Sequence, residues 1–361
     1  MSEKFKKYVP LSFVICLLIA VLSYLVLIIC NHSYAFADFI RGSIVLALRQ
    51  IMAFVTYIFP FSLFEILLIL AIPIVVLLIV WFVKKCTDNV ERVRSCFRIL
   101  SVALIALTLY IYLLGVSYHV TPLNEELGIS DGSDMSDDEL YQTLIVIQEE
   151  LNSLGEQLDI EDGQTHSPHN LRSLSRIIRQ SYRSLADEYE FLVPVLTVAK
   201  PIMFSGIMSD MGITGVNSFI TGEANINMAF PDYYLPFTVA HEFAHQHGIA
   251  RENEANFIAF LICAKSDDIY VRYSGYLNMY EYLASALYSR DKELYREVSS
   301  MLCGAAKADI TAAYDHAREH MQSPLYKLMD YFNNFYLKAN GTEGVISYSY
   351  VVRLCVAYYR K

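Results

Sequence analysis

The sequence predicts a mainly α fold: N-terminal transmembrane helices followed by an α+β domain with a small sheet. Three observations carry this. Apolar residues make up 55% of the chain and concentrate in its first third. Charge changes sign along the chain: residues 1–118 hold 10 Lys/Arg against 5 Asp/Glu, and 119–361 hold 18 against 33. One short alternating stretch, "ANINMAF", interrupts otherwise helical periodicity. A basic, greasy start and an acidic remainder divide the chain into a three-span membrane anchor (1–118), an acidic linker (119–140) and an extracytoplasmic domain (141–361).

The predicted spans are residues 8–30, 63–83 and 97–118. Each is about the 20 residues that cross a hydrocarbon core. The first exceeds a signal-peptide core, and no small-x-small cleavage site follows it. Lys4, Lys6 and Lys7 precede the first span, and Lys84, Lys85, Arg92, Arg94 and Arg98 lie between the other two. The remaining connection, 31–62, holds only Arg41 and Arg49. Positive residues stay inside, so the N-terminus is expected to be cytoplasmic and the acidic domain outside a multi-pass cytoplasmic membrane protein. A net charge of −15 on that domain, with no phosphate loop or nucleotide fingerprint, argues against nucleic acid. Cys263, Cys303 and Cys355 are odd in number and form no disulfide framework, and buried free thiols are expected.

Beyond the anchor, Ser136 with Glu139 forms a capping-box pattern opening a helix over 137–154. An apolar stripe at Leu171, Leu174, Ile178, Tyr182 and Leu185 predicts another over 171–192. "ANINMAF" predicts a strand bounded by Gly222 and Pro231, and helical periodicity returns over 267–336.

The chemistry is expected in "VAHEFAHQHGIARENEANF". On a helix, His241 and His245 share one face and can hold one ion, with Glu242 one step round as general base. An accidental His-Glu-x-x-His in a chain of this composition is expected about 0.01 times. A catalytic Zn2+ takes three protein ligands and keeps one position open. Gly248 can end the helix with φ > 0, and a second helix over 251–265 can fold back. Glu252 shares a stripe with small residues, Ala255, Asn256 and Ala259, and is favoured as third ligand. Glu254, among bulky residues, is the alternative. Asn256 is placed to orient a ligand imidazole. His247 points off the ligand face, as a helix-end cap.

At these residues the chain resembles zincins of the gluzincin kind, in which His-Glu-x-x-His is followed by a helix carrying Glu-x-x-Ala-Asn; "ENEAN" fits that frame with Glu252 as ligand. Glu252 follows His245 by seven positions, a shorter gap than in typical gluzincins. More closely, "TGEANIN", "LPFTVAHEFAHQHGIARENEANF" and "SYSYVVRLCVAYYRK" resemble an uncharacterised bacterial membrane family, domain-of-unknown-function family 3810, over most of the chain. The resemblance implies a zincin-like peptidase fold and names no substrate.

A metallopeptidase is therefore expected: Zn2+ on His241, His245 and Glu252, Glu242 as base, a peptide or protein as substrate, and the bilayer as the other partner. An extended substrate is expected to pair with the predicted strand near Asn225 and Asn227. Tyr348 and Tyr350 are oxyanion candidates. The rival expectation is a non-catalytic metal-binding or sensing membrane protein. Asp315 to His320 reads as a solvated helix face, Glu223 as a possible cleft residue, His166 and His169 as exposed, and Glu65 as interfacial.

Overall fold

The computed structural model describes residues 7–85, 88–193, 195–196, 198–340, 342 and 350–360. It is mainly helical, with one three-stranded sheet. Helix α1 (Leu11–His32) packs along α5 (Asn89–Leu113), and α4 (Leu63–Lys85) is the third long apolar helix. Long runs of Leu, Ile, Val and Phe make these segments predominantly apolar, and most of their side chains stay uncovered by protein. The segments are long and apolar enough to cross a membrane.

The connection expected as a loop over 31–62 is helical. Helix α2 (Tyr34–Ile40), a π-turn (Arg41–Val45) and α3 (Leu46–Tyr57) run on continuously. Residues 34–57 thus make a fourth helical stretch long and apolar enough to cross a membrane, beside 11–32, 63–84 and 89–118. Its polar groups nevertheless contact the C-terminal domain along its length. Asp38 accepts from Thr121, Arg49 donates to His245, and the carbonyl of Thr56 accepts from Lys200 Nζ at 2.7 Å. Arg41 and Arg49, read from the sequence as loop charges, face protein.

Helix α6 (Leu123–Glu126) follows a short 3-10 turn. The stretch expected as a linker is packed here, with Val120, Leu123 and Leu127 buried. Helix α7 (Asp137–Gly155) opens on the expected capping box, Glu139 N to Ser136 Oγ at 3.2 Å and Ser136 N to Glu139 Oε2 at 2.8 Å. Helix α8 (Leu171–Ala186) ends six residues before its expected boundary. The sheet follows: β1 (Ala199–Pro201), then helix α9 (Ser205–Asp210), β2 (Gly215–Ser218) and β3 (Glu223–Ile226). The order is β1-β3-β2, with β1 parallel and β2 antiparallel to β3. The predicted strand is therefore the middle one, and it stops at Ile226.

Helices α10 (Tyr234–Gln246), α11 (Glu252–Ala264) and α12 (Ile269–Arg290) form the centre of the domain. Helices α13 (Lys292–Ser300), α14 (Gly304–His320), α15 (Pro324–Ala339) and α16 (Val351–Tyr359) complete it, so the expected helical tract breaks at Asp291 and twice more. Phe243, Phe257, Phe260, Leu277 and Val356 meet in one large core with the apolar stripes of α7 and α8. Cys263 and Cys355 are free and buried in it.

Candidate metal centre

Helix α10 sits against the sheet and is buried along most of its length, and Pro236 occupies its first turn where no hydrogen-bond donor is needed. The i, i+4 spacing brings His241 and His245 together, with Nε2 to Nε2 at 3.1 Å. Gly248 ends the helix at φ +95°, a conformation open to glycine at little cost. The reversed chain starts α11 at Glu252, whose Oε2 lies 3.3 Å from His241 Nε2 and 3.6 Å from His245 Nε2. These are the three side chains among the described residues whose ligand atoms cluster as a metal ion requires.

His245 Nδ1 donates to the carbonyl of Ile249 at 2.7 Å, which turns Nε2 toward the cluster. Nδ1 of His241 is buried without a hydrogen-bond partner, as is Nδ2 of Asn256. Asn256 lines the same cleft and forms no hydrogen bond to either imidazole.

The electrostatics follow from burying three ionisable groups together. Burial alone disfavours the Glu252 carboxylate, but the His245 and His241 imidazoles outweigh it and hold its pKa well below the usual range. Burial likewise opposes charge on His245, and the Glu252 carboxylate reverses this, lifting its pKa to about 9. Glu242 is pushed up, first by burial, with the neighbouring imidazoles pulling back. Its Oε2 is buried without a hydrogen-bond partner. Gly215 on β2 makes room for it: a Cβ there would stand 2.6 Å from Glu242 Oε1. Asn217 Nδ2, also on β2, donates to the Glu242 carbonyl at 3.2 Å.

Glu254 is turned elsewhere. Its Oε1 accepts from Leu123 N at 3.0 Å and from Arg251 Nη1 at 2.9 Å. His247 caps the helix end as expected: Nδ1 donates to the Phe243 carbonyl at 2.6 Å, the ring stacks on Tyr182, and burial lowers its pKa to about 4.

The cluster opens into a cleft of about 730 Å³. The strand expected to receive a substrate has both edges occupied, which corrects that expectation. Asn225 and Asn227 are buried structural residues: Asn225 Nδ2 donates to the carbonyls of Val216 and Glu223, and Asn227 Nδ2 to Ser209 Oγ and the Ile213 carbonyl. The strand that lines the cleft is β2, whose outer edge has no partner strand among the described residues. Nor does Glu223 line the cleft. It is buried, paired with Lys200 at 2.5 Å, and accepts from the first amides of α4, Leu63 N and Phe64 N. Glu65 in turn accepts from Met203 N and Phe204 N.

Tyr348 lies outside the described residues, and Tyr350 is away from the cleft, beneath the Arg353 guanidinium. The tyrosines that do line it, Tyr118, Tyr234, Tyr282, Tyr326 and Tyr336, come from separate segments and carry no spacing signal. His316 packs on Phe230, His320 meets Asp210, and His166 and His169 meet Asp232 and Asp268.

Searches of curated proteins and of solved structures return no match to the chain. A family model does match, over residues 40–356, which takes in most of the helical stretch 34–57, the sheet and the whole His241–His245–Glu252 cluster. The chain belongs to the family described as "Protein of unknown function (DUF3810)".

Proposed function

We propose that the protein is a membrane-anchored, zincin-like zinc metallopeptidase. The observation that carries the reading is the triangle of His241 Nε2, His245 Nε2 and Glu252 Oε2, with edges of 3.1, 3.3 and 3.6 Å. Zinc bonds of about 2.0–2.1 Å in a tetrahedron give ligand-to-ligand edges of about 3.3–3.4 Å. A divalent ion at the centre of this triangle would be held by both Nε2 atoms and the Glu252 carboxylate at once. Bound there, zinc would act as a Lewis acid that polarises a carbonyl and lowers the pKa of water.

The chain's own groups supply the rest. Glu242, with its pKa raised by burial, is suited to take a proton from the attacking water and deliver it to the leaving amine nitrogen. The free edge of β2 can hold an extended peptide by main-chain hydrogen bonds along the cleft.

Residues 34–57 contact the domain from Asp38 to Thr56 and so do not cross the bilayer in this reading. Three crossings, α1, α4 and α5, then place the domain outside, in line with the positive residues flanking α1 and joining α4 to α5.

The test uses the full chain in detergent or nanodiscs, wild type against Glu242→Gln and His241→Ala. The expected result is about one zinc per chain in wild type and Glu242→Gln, none in His241→Ala, and peptide hydrolysis in wild type alone. Zinc without hydrolysis in wild type would favour a metal-binding or sensing role. No zinc in any of the three removes the reading.

A further inference from the structure

The C-terminal domain is tied to the membrane helices at two flanks. On one flank, Met203 N and Phe204 N donate to the Glu65 carboxylate in the first turn of α4, each at 2.9 Å. The start of α9 is therefore level with the outer end of a membrane helix. On the other flank, Tyr110 in the last turn of α5 donates to Asn340 Oδ1 at 2.5 Å, just past the end of α15. The same Tyr110 ring meets Phe219 edge-on, with centroids 5.9 Å apart, and Phe219 lines the cleft. Leu114 and Tyr118, which directly follow α5, line it too.

Large apolar side chains crowd this level and face away from protein. Met203 is 74% exposed, Ile220 58% and Phe335 65%. Phe335 lies on the same outward stripe of α15 as Leu328 and Tyr331, with Lys327 and Lys338 beside it. A water-facing surface does not accumulate such a rim without a partner, and basic residues flanking an apolar stripe suit a helix at a lipid interface. Beneath the rim, α1 and α5 pack on each other, whereas the apolar window of α4 buries none of its residues in protein. The apolar surface of α4 is therefore left uncovered by protein.

We propose that Met203, Ile220 and Phe335 rest in the outer lipid interface, so that the cleft opens at the bilayer surface and takes the juxtamembrane segment of a membrane-tethered polypeptide. The lipid contact stands on the apolar rim alone, and the substrate class rests on the metallopeptidase reading. A chain lying along the membrane needs no unfolding from it to reach β2, and its tether raises its local concentration at the cleft.

Two measurements separate the parts. The chain has one tryptophan, Trp81. In a Trp81→Phe background, Met203→Trp and Phe335→Trp are placed in phosphatidylcholine vesicles with acyl-brominated lipid, and Ile160→Trp, far from the rim, is the control. The expected result is strong quenching at 203 and 335 and little at 160. Quenching at the rim no greater than at 160 overturns the proposal, and it is the outcome if a second protein copy covers this face. The other measurement compares a fluorogenic mixed-sequence peptide library with its palmitoylated form in the same vesicles. Preferential cleavage of the acylated form, by about tenfold or more, supports the proposal, and Met203→Asp with Phe335→Asp should remove the preference. Equal cleavage of both forms overturns the substrate class and leaves the hydrolase reading standing. Cleavage of neither form counts against the hydrolase reading, and quenching then decides the lipid contact by itself.

Discussion

Arg49 donates from Nη1 to the main-chain carbonyl of His245 at 2.5 Å, across 196 positions of sequence. Its Nη2 donates to the carbonyl of Leu113 at 2.6 Å and to Ser117 Oγ at 3.3 Å. One half-buried guanidinium thus caps the C-terminal ends of two helices: α10, which carries the histidines, and the long apolar α5. Both ends bear the partial negative charge of unpaired carbonyls, so a cation there is favourable. The His241–His245–Glu252 cluster is thereby registered against the long apolar helices.

A lysine cannot reproduce that fork, because it presents a point charge instead of fixed, diverging donors. Arg49→Lys should therefore leave the fold intact and weaken zinc affinity by about tenfold, the lower end for loss of groups that orient a ligand. Competition with a chelator of known affinity measures it. Unchanged affinity with a lowered melting temperature would assign Arg49 to stability alone.

The two glutamates of "ENEAN" separate cleanly. Glu252→Gln removes the charged ligand and should lower zinc affinity at least 100-fold in the same chelator competition. Glu254→Gln should keep zinc. Its cost is structural, because the carboxylate holds Leu123 N and Arg251, whose Nη2 in turn ties down the carbonyls of Tyr118 and Val120. A loss of about 1–3 kcal/mol is expected from weakening such buried charged hydrogen bonds. Loss of zinc from Glu254→Gln with zinc kept by Glu252→Gln would reverse the assignment.

Gly215→Ala tests the positioning of the base without touching a ligand. The new Cβ would stand 2.6 Å from Glu242 Oε1 and 2.8 Å from Thr238 Cγ2, so the carboxylate must shift. Zinc content should stay at the wild-type level while kcat falls by about 10²-fold, the scale set by a misplaced catalytic group. A variant with wild-type kcat would show that Glu242 does not work from this position.

The grouping of His241, His245 and Glu252 was legible because its signal is local. Four-residue spacing aligns His241 with His245, and Gly248 marks the reversal that returns Glu252. The cleft around it was not legible. Its lining comes from β2, α10, α12, α15 and the turn after α5, and no spacing in sequence relates them. The alternation of "ANINMAF" suggested one apolar and one polar face, yet all four residues of β3 are buried, and the side-chain NH2 groups of Asn225 and Asn227 donate to backbone and hydroxyl groups inside the protein. The segment 34–57 was missed because its two arginines resembled loop charges. Their partners, the carbonyl of His245 and the carboxylates of Asp38 and Glu126, lie on other parts of the fold or become neighbours only once it is helical.

Glu281 gives a test of the domain that is independent of zinc. It lies on α12 away from the cleft lining and accepts from Tyr233 OH at 3.0 Å. Burial pushes its pKa up to about 7; the Tyr233 hydrogen bond pulls it back and the Asp309 charge pushes it further up. In the unfolded chain the group titrates near 4.5. Between those pH values the folded protein keeps a proton that the unfolded chain has released, so stability falls as pH rises. The loss begins near pH 4.5 and is complete above about pH 7, where it amounts to at most about 3 kcal/mol. Glu281→Gln removes the ionisation and retains an acceptor for Tyr233. Its melting temperature in detergent should exceed that of wild type at pH 8 and converge with it near pH 4.5. A variant less stable than wild type at pH 8 would mean that the carboxylate is charged and favourably paired in the folded state.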